Sequence, residues 1–349
     1  MDGGKTSGRR ARVAVLLGDP AGIGPEIAVK LLARTQNTAA VDVLLIADPN
    51  VLAAGERVAA TKLDCLRIES PEAELQQALR FEPGRITWWA QPTIAASDVR
   101  QGEATEAGGR AALRALDAAV EAARQGLVDA IVFAPLNKHA LRLAGMTHED
   151  ELRFMQERFA VPGFVCEFNI TQGLWTSRVT SHVPLREVAD AITGAGVIDA
   201  VRIVNRYLIA AGVAAPRIAV AALNPHAGDG GSLGREEIDV IAPAVETVRR
   251  EGVDVRGPLP SDTVFVAAKR GDYDAVVSMY HDQGQIAMKL MGFDRGVTLH
   301  GGLPVPVATC ASGTAFDIVG RGIANVEGLQ AALDLATRIA ARTIAARAA

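Results

Sequence analysis

Three of the six histidines in this 349-residue chain share one context: His182, His226 and His281 each directly follow a short apolar run, in Thr180-Ser181-His182, Asn224-Pro225-His226 and Tyr280-His281-Asp282. Each run reads as a β-strand, and in an open α/β sheet the loops beyond the carboxyl ends of the strands converge on ligands. Neutral imidazoles gathered there with a carboxylate suit one divalent cation: Zn, or alternatively Mg, Mn, Co or Ni. The spacing is too long to be a metal motif, and any one of the three could instead bond a loop carbonyl; the shared position is what points to a site. Asp282, beside His281, and Asp262, in Pro260-Ser261-Asp262-Thr263, offer carboxylates as ligands or as acceptors that orient an imidazole. Asp262 could equally cap the helix that follows it. Such clusters also activate water, so metal-dependent hydrolysis stands beside oxidation as an alternative.

Two glycine-rich stretches would let a ligand lie against the backbone. Gly18-Asp19-Pro20-Ala21-Gly22-Ile23-Gly24-Pro25-Glu26 places a proline at the first position of a helix after a strand, which presents a helix N-terminus to an anion. It is not the G-x-G-x-x-G fingerprint, and about 20 residues on only Asp42 stands where a ribose-binding acid belongs. The other stretch is His226-Ala227-Gly228-Asp229-Gly230-Gly231. Near the C-terminus, residues 312–325 open a helix with small residues, and Asp317 and Asn325 are polar groups of the kind a ribose or adenine needs. On residues alone this is a loop and a capped helix.

Apolar runs at 12–17, 41–47, 86–90, 130–134, 175–180, 218–223 and 275–279 alternate with helical patterns at 25–33, 105–124, 196–211, 235–250 and 326–346. That alternation predicts βαβ units around a largely parallel sheet, an α/β fold. The length suggests about two domains, with a polar tail at 1–10, expected to be disordered, and with the two ends of the chain sharing one domain. Hydrophobic residues at 49%, charged residues at 22% and a mean hydropathy of +0.17 exclude a mainly disordered chain. A net charge of −4 and 4% aromatics supply neither a phosphate-tracking basic face nor stacking platforms, so nucleic acid is not an expected partner. Cys65, Cys166 and Cys310 are scattered with no CxxC pair, which argues for a reducing compartment and a cytoplasmic location. No apolar run approaches the ~18 residues of a membrane span, and the stretch after Arg9-Arg10 breaks at Gly18-Asp19-Pro20, too early for a signal peptide.

The chain resembles the PdxA family of metal- and NAD-dependent dehydrogenases, named for 4-hydroxythreonine-4-phosphate dehydrogenase of vitamin B6 synthesis. The segments that carry the resemblance are Gly18 to Glu26, Ala134-Pro135-Leu136-Asn137-Lys138, Ser181-His182-Val183-Pro184-Leu185-Arg186, Leu223-Asn224-Pro225-His226-Ala227-Gly228, Tyr280-His281-Asp282-Gln283-Gly284 and residues 313–325. The resemblance implies a homodimer of two-domain subunits related to isocitrate and isopropylmalate dehydrogenases, with parallel and mixed sheets flanked by helices and an active site in the interdomain cleft. Residues 11–135 with 300–349 would form the cofactor-side domain, and 136–299 the metal-binding and dimerisation domain. It implies that His182 and His226 hold the metal together with the partner's His281. NAD, with NADP as the variant, would contact Gly313, Thr314, Ala315, Asp317 and Asn325, although Ser312 stands where the wider superfamily usually has a histidine. Asp19, His148, Lys289, Thr298 and Val307 fall at substrate positions. Lys289, or Asp262 through water, would accept the proton, with Asp282 beside the metal.

The substrate positions depart from the family pattern. Thr147-His148-Glu149-Asp150 aligns with its Gly-His-Thr-Glu, Thr298 with an asparagine and Val307 with an arginine, while Lys289 is kept. Losing an arginine fork and gaining the Glu149 carboxylate disfavours a phosphate. The altered grip resembles the branch that oxidises terephthalate cis-dihydrodiol, whose β-keto acid product loses carbon dioxide to give protocatechuate; Val307 would face the ring and Lys289 a carboxylate. The expectation is therefore oxidation of a secondary hydroxyl followed by β-decarboxylation. The alternatives are 4-hydroxythreonine 4-phosphate and a phosphorylated threonate or erythronate as substrate.

Overall fold

The computed structural model describes residues 9–70, 72–292 and 295–348. They form two compact units, one of residues up to Asp150 with Val305 onward, the other Glu151–Pro304. Residues 136–150 thus lie with the first unit rather than beyond a cut at 135. Helix Lys138–Leu143 packs on helix Glu106–Arg124 so closely that a Cβ on Gly109 would stand 2.0 Å from the Ala140 carbonyl oxygen. Of the tail expected at 1–10, residues 1–8 lie outside the described residues. Arg9 and Arg10 are pinned instead: Arg9 makes a two-bond fork to Asp129 (2.6 and 2.7 Å), and Arg10 donates to the Thr38 and Val41 carbonyls.

The first unit holds β1 (Arg12–Leu16), β2 (Asp42–Ala47), β3 (Cys65–Ile68), β4 (Ile86–Ala90), β5 (Ala130–Phe133) and β12 (Val307–Cys310), in the order β3-β4-β2-β1-β5-β12. All five pairings are parallel. A parallel sheet is covered on both faces, which is why β1 is a continuous apolar run with Val13, Ala14 and Val15 fully buried. From β1 the chain leaves to β2 on one side and returns, after β4, to β5 on the other. The switch point between β1 and β5 is where ligands bind in such sheets.

The second unit holds β6 (Cys166–Thr171), β7 (Leu174–Arg178), β8 (Arg217–Ala221), β9 (Asp254–Leu259), β10 (Ala275–Ser278) and β11 (Val297–Gly301), in the order β11-β6-β7-β10-β8-β9. β6 runs antiparallel to both β7 and β11; β7, β10, β8 and β9 run parallel to one another. The seven apolar runs all form strands, whereas β3, β6, β9, β11 and β12 gave no comparable signal. β6 alternates in polar residues (Cys-Glu-Phe-Asn-Ile-Thr) and β9 contains Gly257-Pro258, which a sheet tolerates at an edge. The helix expected at 235–250 opens with a π-turn, Glu237–Ile241, and continues as Ala242–Arg250.

Candidate active site

Because β10 lies between β7 and β8, the three histidines stand beyond the carboxyl ends of three adjacent parallel strands. Side chains and backbone stitch these ends together. Thr180, leaving β7, donates its amide (3.1 Å) and hydroxyl (2.8 Å) to the Met279 carbonyl at the end of β10. Gln283 accepts from the Met279 amide (2.7 Å) and donates to the Ala222 carbonyl just past β8 (2.8 Å). The rings of His182 and His281 consequently lie 5.4 Å apart, centroid to centroid, within one chain. The resemblance implies that the partner's His281 joins His182; within one chain the two rings are also neighbours.

His281 opens helix His281–Met291, and its Nδ1 pairs with Asp282 Oδ1 at 2.7 Å. A carboxylate on one ring nitrogen fixes the tautomer and leaves Nε2 for a ligand, the arrangement that metal-bound imidazoles adopt. His226 begins five consecutive residues in the left-handed region (φ 53, 55, 80, 45 and 64 for His226 to Gly230). For the three that are not glycine this costs roughly 1–2 kcal/mol each, so the loop needs external support. Glu237, 2% exposed, supplies it: Oε1 accepts from the Leu223 (2.9 Å) and Asn224 (2.7 Å) amides, and Oε2 from Asn224 Nδ2 (3.0 Å). Burial pushes this carboxyl up, but the hydrogen bonds from Asn224 and Leu223 outweigh it and hold it below the usual range. Gly228 permits the close approach, since a Cβ there would meet Glu237 Oε2 at 2.8 Å. Imidazoles, one of them backed by a carboxylate, are donors of the type a divalent cation takes, and the two in ring contact within this chain are His182 and His281.

Among the other expected residues of this unit, Asp282 is the partner of His281, as the sequence suggested. Asp262 is not a cap: it is the second residue of helix Ser261–Lys269, whose flanking residue, Pro260, makes no side-chain cap. Lys289 is exposed in the last turn of the helix that begins at His281, ~12 Å along its axis. Thr298 is half-buried on β11 and accepts from Asn169 Nδ2 at 3.3 Å.

In the first unit, Asp19 sits at the switch point and is 2% exposed. Its amide donates to the Pro135 carbonyl of the β5 loop (2.9 Å), its Oδ1 accepts from the Ala21 amide (2.8 Å), and its Oδ2 is buried without a partner. Burial, opposed only by that one bond, raises its carboxyl from 3.8 to about 6. The 313–325 segment packs on the same turn: the Ile23 amide donates to the Thr314 carbonyl (3.0 Å), and a Cβ on Gly22 would stand 2.9 Å from Thr314. A clasp the sequence did not reveal holds the far end of that segment. Lys30 Nζ donates to Glu26 (2.6 Å) and to the Gly322 and Ala324 carbonyls, while Glu26 Oε1 accepts the Ala324 amide. Gly313 and Asp317 are exposed, Thr314 and Ala315 half-buried, and Ala315 is left-handed (φ 43). Asn325 is exposed, and its Oδ1 accepts from the Glu327 amide at the start of the C-terminal helix Glu327–Ala348.

Val307 corrects the sequence reading. It is fully buried in β12, in register with Ile131 of β5, and so belongs to the sheet core and cannot line a substrate pocket. His148 is half-buried and Glu149 exposed. Among the described residues no helix is long and apolar enough to cross a membrane.

The profile of the family described as pyridoxal phosphate biosynthetic protein PdxA matches residues 39–336. The chain belongs to the PdxA family. A Pseudomonas aeruginosa protein with the provisional name 4-hydroxythreonine-4-phosphate dehydrogenase 2 is 48% identical over 94% of this chain and 96% of its own. D-threonate 4-phosphate dehydrogenase of Salmonella typhimurium is 38% identical over 94% and 98%. The crystal structure of 4-hydroxythreonine-4-phosphate dehydrogenase from Klebsiella pneumoniae superposes with a TM-score of 0.79 at 36% identity, covering 96% of this chain and 99% of that one. Terephthalate 1,2-cis-dihydrodiol dehydrogenase from Burkholderia xenovorans gives 0.67 at 30%, covering 95% and 98%. A Thermococcus kodakarensis β-decarboxylating dehydrogenase, at 0.50 and 15% over 92% of this chain and 80% of that one, shares the fold. The relatives are named dehydrogenases, and this chain is an oxidoreductase acting on a CH–OH group; the hydrolase alternative is set aside.

Proposed function

We propose that this PdxA-family enzyme oxidises the secondary hydroxyl of a four-carbon hydroxy acid bearing a 4-phosphate, of the 4-hydroxythreonine or threonate type, with NAD or NADP and a divalent cation. The observation that carries the choice is the burial of Val307 in β12. The case against a phosphate rested on an aliphatic side chain replacing an arginine at the substrate and on the Glu149 carboxylate, and the case for a ring on that aliphatic side chain. That side chain is sheet core, which removes the support for a ring, and the relatives at 48% and 38% identity, named for 4-phosphorylated substrates, favour the phosphorylated acid.

His182, His226 and His281 would hold the cation, which supplies Lewis acidity that lowers the pKa of the substrate hydroxyl. Asp282 keeps the His281 ring in one tautomer and orientation. Glu237 fixes the strained loop that carries His226, and Gln283 fixes the two strand ends on either side of it. Lys289, exposed on the His281 helix, we assign either to the substrate anion, as the ammonium, or to the departing hydroxyl proton, as the neutral amine, with Asp262 acting through water as the second candidate for the proton. In the first unit the dinucleotide would lie on residues 313–325 and the Gly18–Gly24 turn, where the lack of a side chain at Gly22 lets backbone approach backbone. Oxidation of a hydroxyl β to a carboxylate yields a β-keto acid, which can then lose carbon dioxide.

The test offers the protein D-threonate 4-phosphate, 4-hydroxythreonine 4-phosphate and the terephthalate cis-dihydrodiol, each with NAD+ or NADP+ and a divalent cation, and follows absorbance at 340 nm. Reduction with a phosphorylated acid is expected; reduction with the diol alone overturns the reading. His226→Ala is expected to abolish both cation binding and turnover.

A further inference from the structure

Where β6, β7 and β11 meet, one face of the second sheet is polar. Asn169 of β6 lies directly opposite Thr298 of β11 and Thr176 of β7, and opposed residues of antiparallel strands share a face. Arg178, two residues beyond Thr176 on β7, is on that face too. Helix His281–Met291 covers it with Gln285, whose Nε2 donates to Asn169 Oδ1 at 2.6 Å. Lys289, at i+4 from Gln285, follows on the same side of that helix.

Hydrogen-bond polarity spreads through this group from the one member that cannot be turned round. Arginine only donates. Arg178, 5% exposed, is held by Glu167 Oε2 (2.5 Å) and by Ser181 Oγ (3.0 Å), and its Nη1 meets Asn169 at 2.8 Å. The atom facing it must be the Asn169 amide oxygen, so Gln285 turns its NH2 to that same oxygen. The Asn169 NH2 is then left to donate to Thr298 Oγ1 (3.3 Å). A hydroxyl oxygen that receives a bond holds its own hydrogen elsewhere. The half-buried Thr298 O–H therefore points away from Asn169, ready to be donated. Glu167 makes the direction permanent, because a guanidinium buried without its counter-charge would be costly.

We infer that Asn169 is a positioning residue for the substrate: oriented by Arg178, it makes Thr298 a hydrogen-bond donor to an anionic oxygen of the substrate. The inference rests on the proposed phosphorylated hydroxy acid and on Thr298 meeting it. Lys289 and Thr298, both at substrate positions, are each one step from Asn169, the first through Gln285 and the second directly. All of these residues belong to one unit of one chain and travel together to whichever subunit's site they line. The carboxylate and the phosphate of such an acid take hydrogen bonds through their charged oxygens, so a hydroxyl turned the other way would present them with a lone pair. Loss of a hydrogen bond to a charged group is worth about tenfold in affinity or more.

The test is steady-state kinetics of the full-length, cation-loaded enzyme with D-threonate 4-phosphate or 4-hydroxythreonine 4-phosphate, whichever wild type turns over, read as KM against kcat. Thr298→Val keeps the shape and removes the hydroxyl; it is expected to raise KM about tenfold with kcat within about threefold. Thr298→Ser, which restores the hydroxyl, is expected to recover most of that loss. Asn169→Asp still accepts from Arg178 and Gln285 but cannot donate, so the Thr298 hydroxyl turns to donate to it, and KM should rise as in Thr298→Val. Added to Thr298→Val, Asn169→Asp should raise KM less than about twofold further, whereas a new charge repelling the substrate would act there in full. Inorganic phosphate and D-threonate, as competitive inhibitors, carry the two anions separately; the one whose inhibition constant rises in Thr298→Val is the end that the hydroxyl meets. An unchanged KM in Thr298→Val or in Asn169→Asp, a full further rise in the double variant, or two inhibition constants that both stay at wild type overturns the inference. Wild type that turns over neither phosphorylated acid overturns the proposed function, and the inference falls with it. Wild type active on one of them, with Thr298→Val unaltered, leaves that function standing and sinks the inference alone.

Discussion

Asp19→Asn isolates the effect of burying a carboxyl group with no counter-charge. Asp19 has one hydrogen bond, from the Ala21 amide, and a second oxygen shut away from water and from every donor. Burial raises it from 3.8 to about 6. At 1.36 kcal/mol per pH unit that difference is worth about 3 kcal/mol. The sign follows from the unfolded chain, where the group ionises at its ordinary value. Below about pH 4 both states are protonated and the carboxyl costs nothing. Between the two values the unfolded chain sheds its proton first, so folding stability falls as pH rises; above about pH 6 the penalty levels off. Asp19→Asn carries no such penalty, and whatever its extra amide hydrogens cost does not vary with pH. Urea denaturation followed by circular dichroism at half-unit steps from pH 4 to pH 8 should show the variant gaining about 2–3 kcal/mol on wild type across the range. A gap that stays flat with pH would refute the reasoning, because it would mean that Asp19 ionises alike in the folded and unfolded states.

Two further substitutions probe the first unit. Gly22→Ala sets a methyl group 2.9 Å from Thr314, so residues 313–325 must shift; the expected cost is about 1–3 kcal/mol of stability and a several-fold rise in KM for the dinucleotide, with cation affinity in calorimetry unchanged. Val307→Ala should lower stability by about 2 kcal/mol in chemical denaturation, through lost apolar contact and the cavity left in the sheet. It should leave KM for the organic substrate unaltered; a raised KM at unchanged stability would return Val307 to the substrate.

What the sequence determined by itself is local. The apolar runs that became β1, β2, β4, β5, β7, β8 and β10 are continuous because strands of a covered parallel sheet meet apolar neighbours on both faces, and that signal survives in one dimension. The placement of His182, His226 and His281 just past such runs was legible for the same reason. The sequence could not say which strands are neighbours, since pairing is chosen by packing between segments distant along the chain. Only the tertiary structure sets β10 between β7 and β8, and that order alone puts the three scattered histidines beyond neighbouring strand ends. Burial was decided there too. Val307 reads as a ligand contact by its place in an aligned segment but is core by its place in β12, while Arg178, Glu167 and Glu237 look like surface charges until their buried partners are seen. A side chain's type is fixed by its codon; whether it meets solvent, a ligand or another side chain depends on what the rest of the chain packs against it.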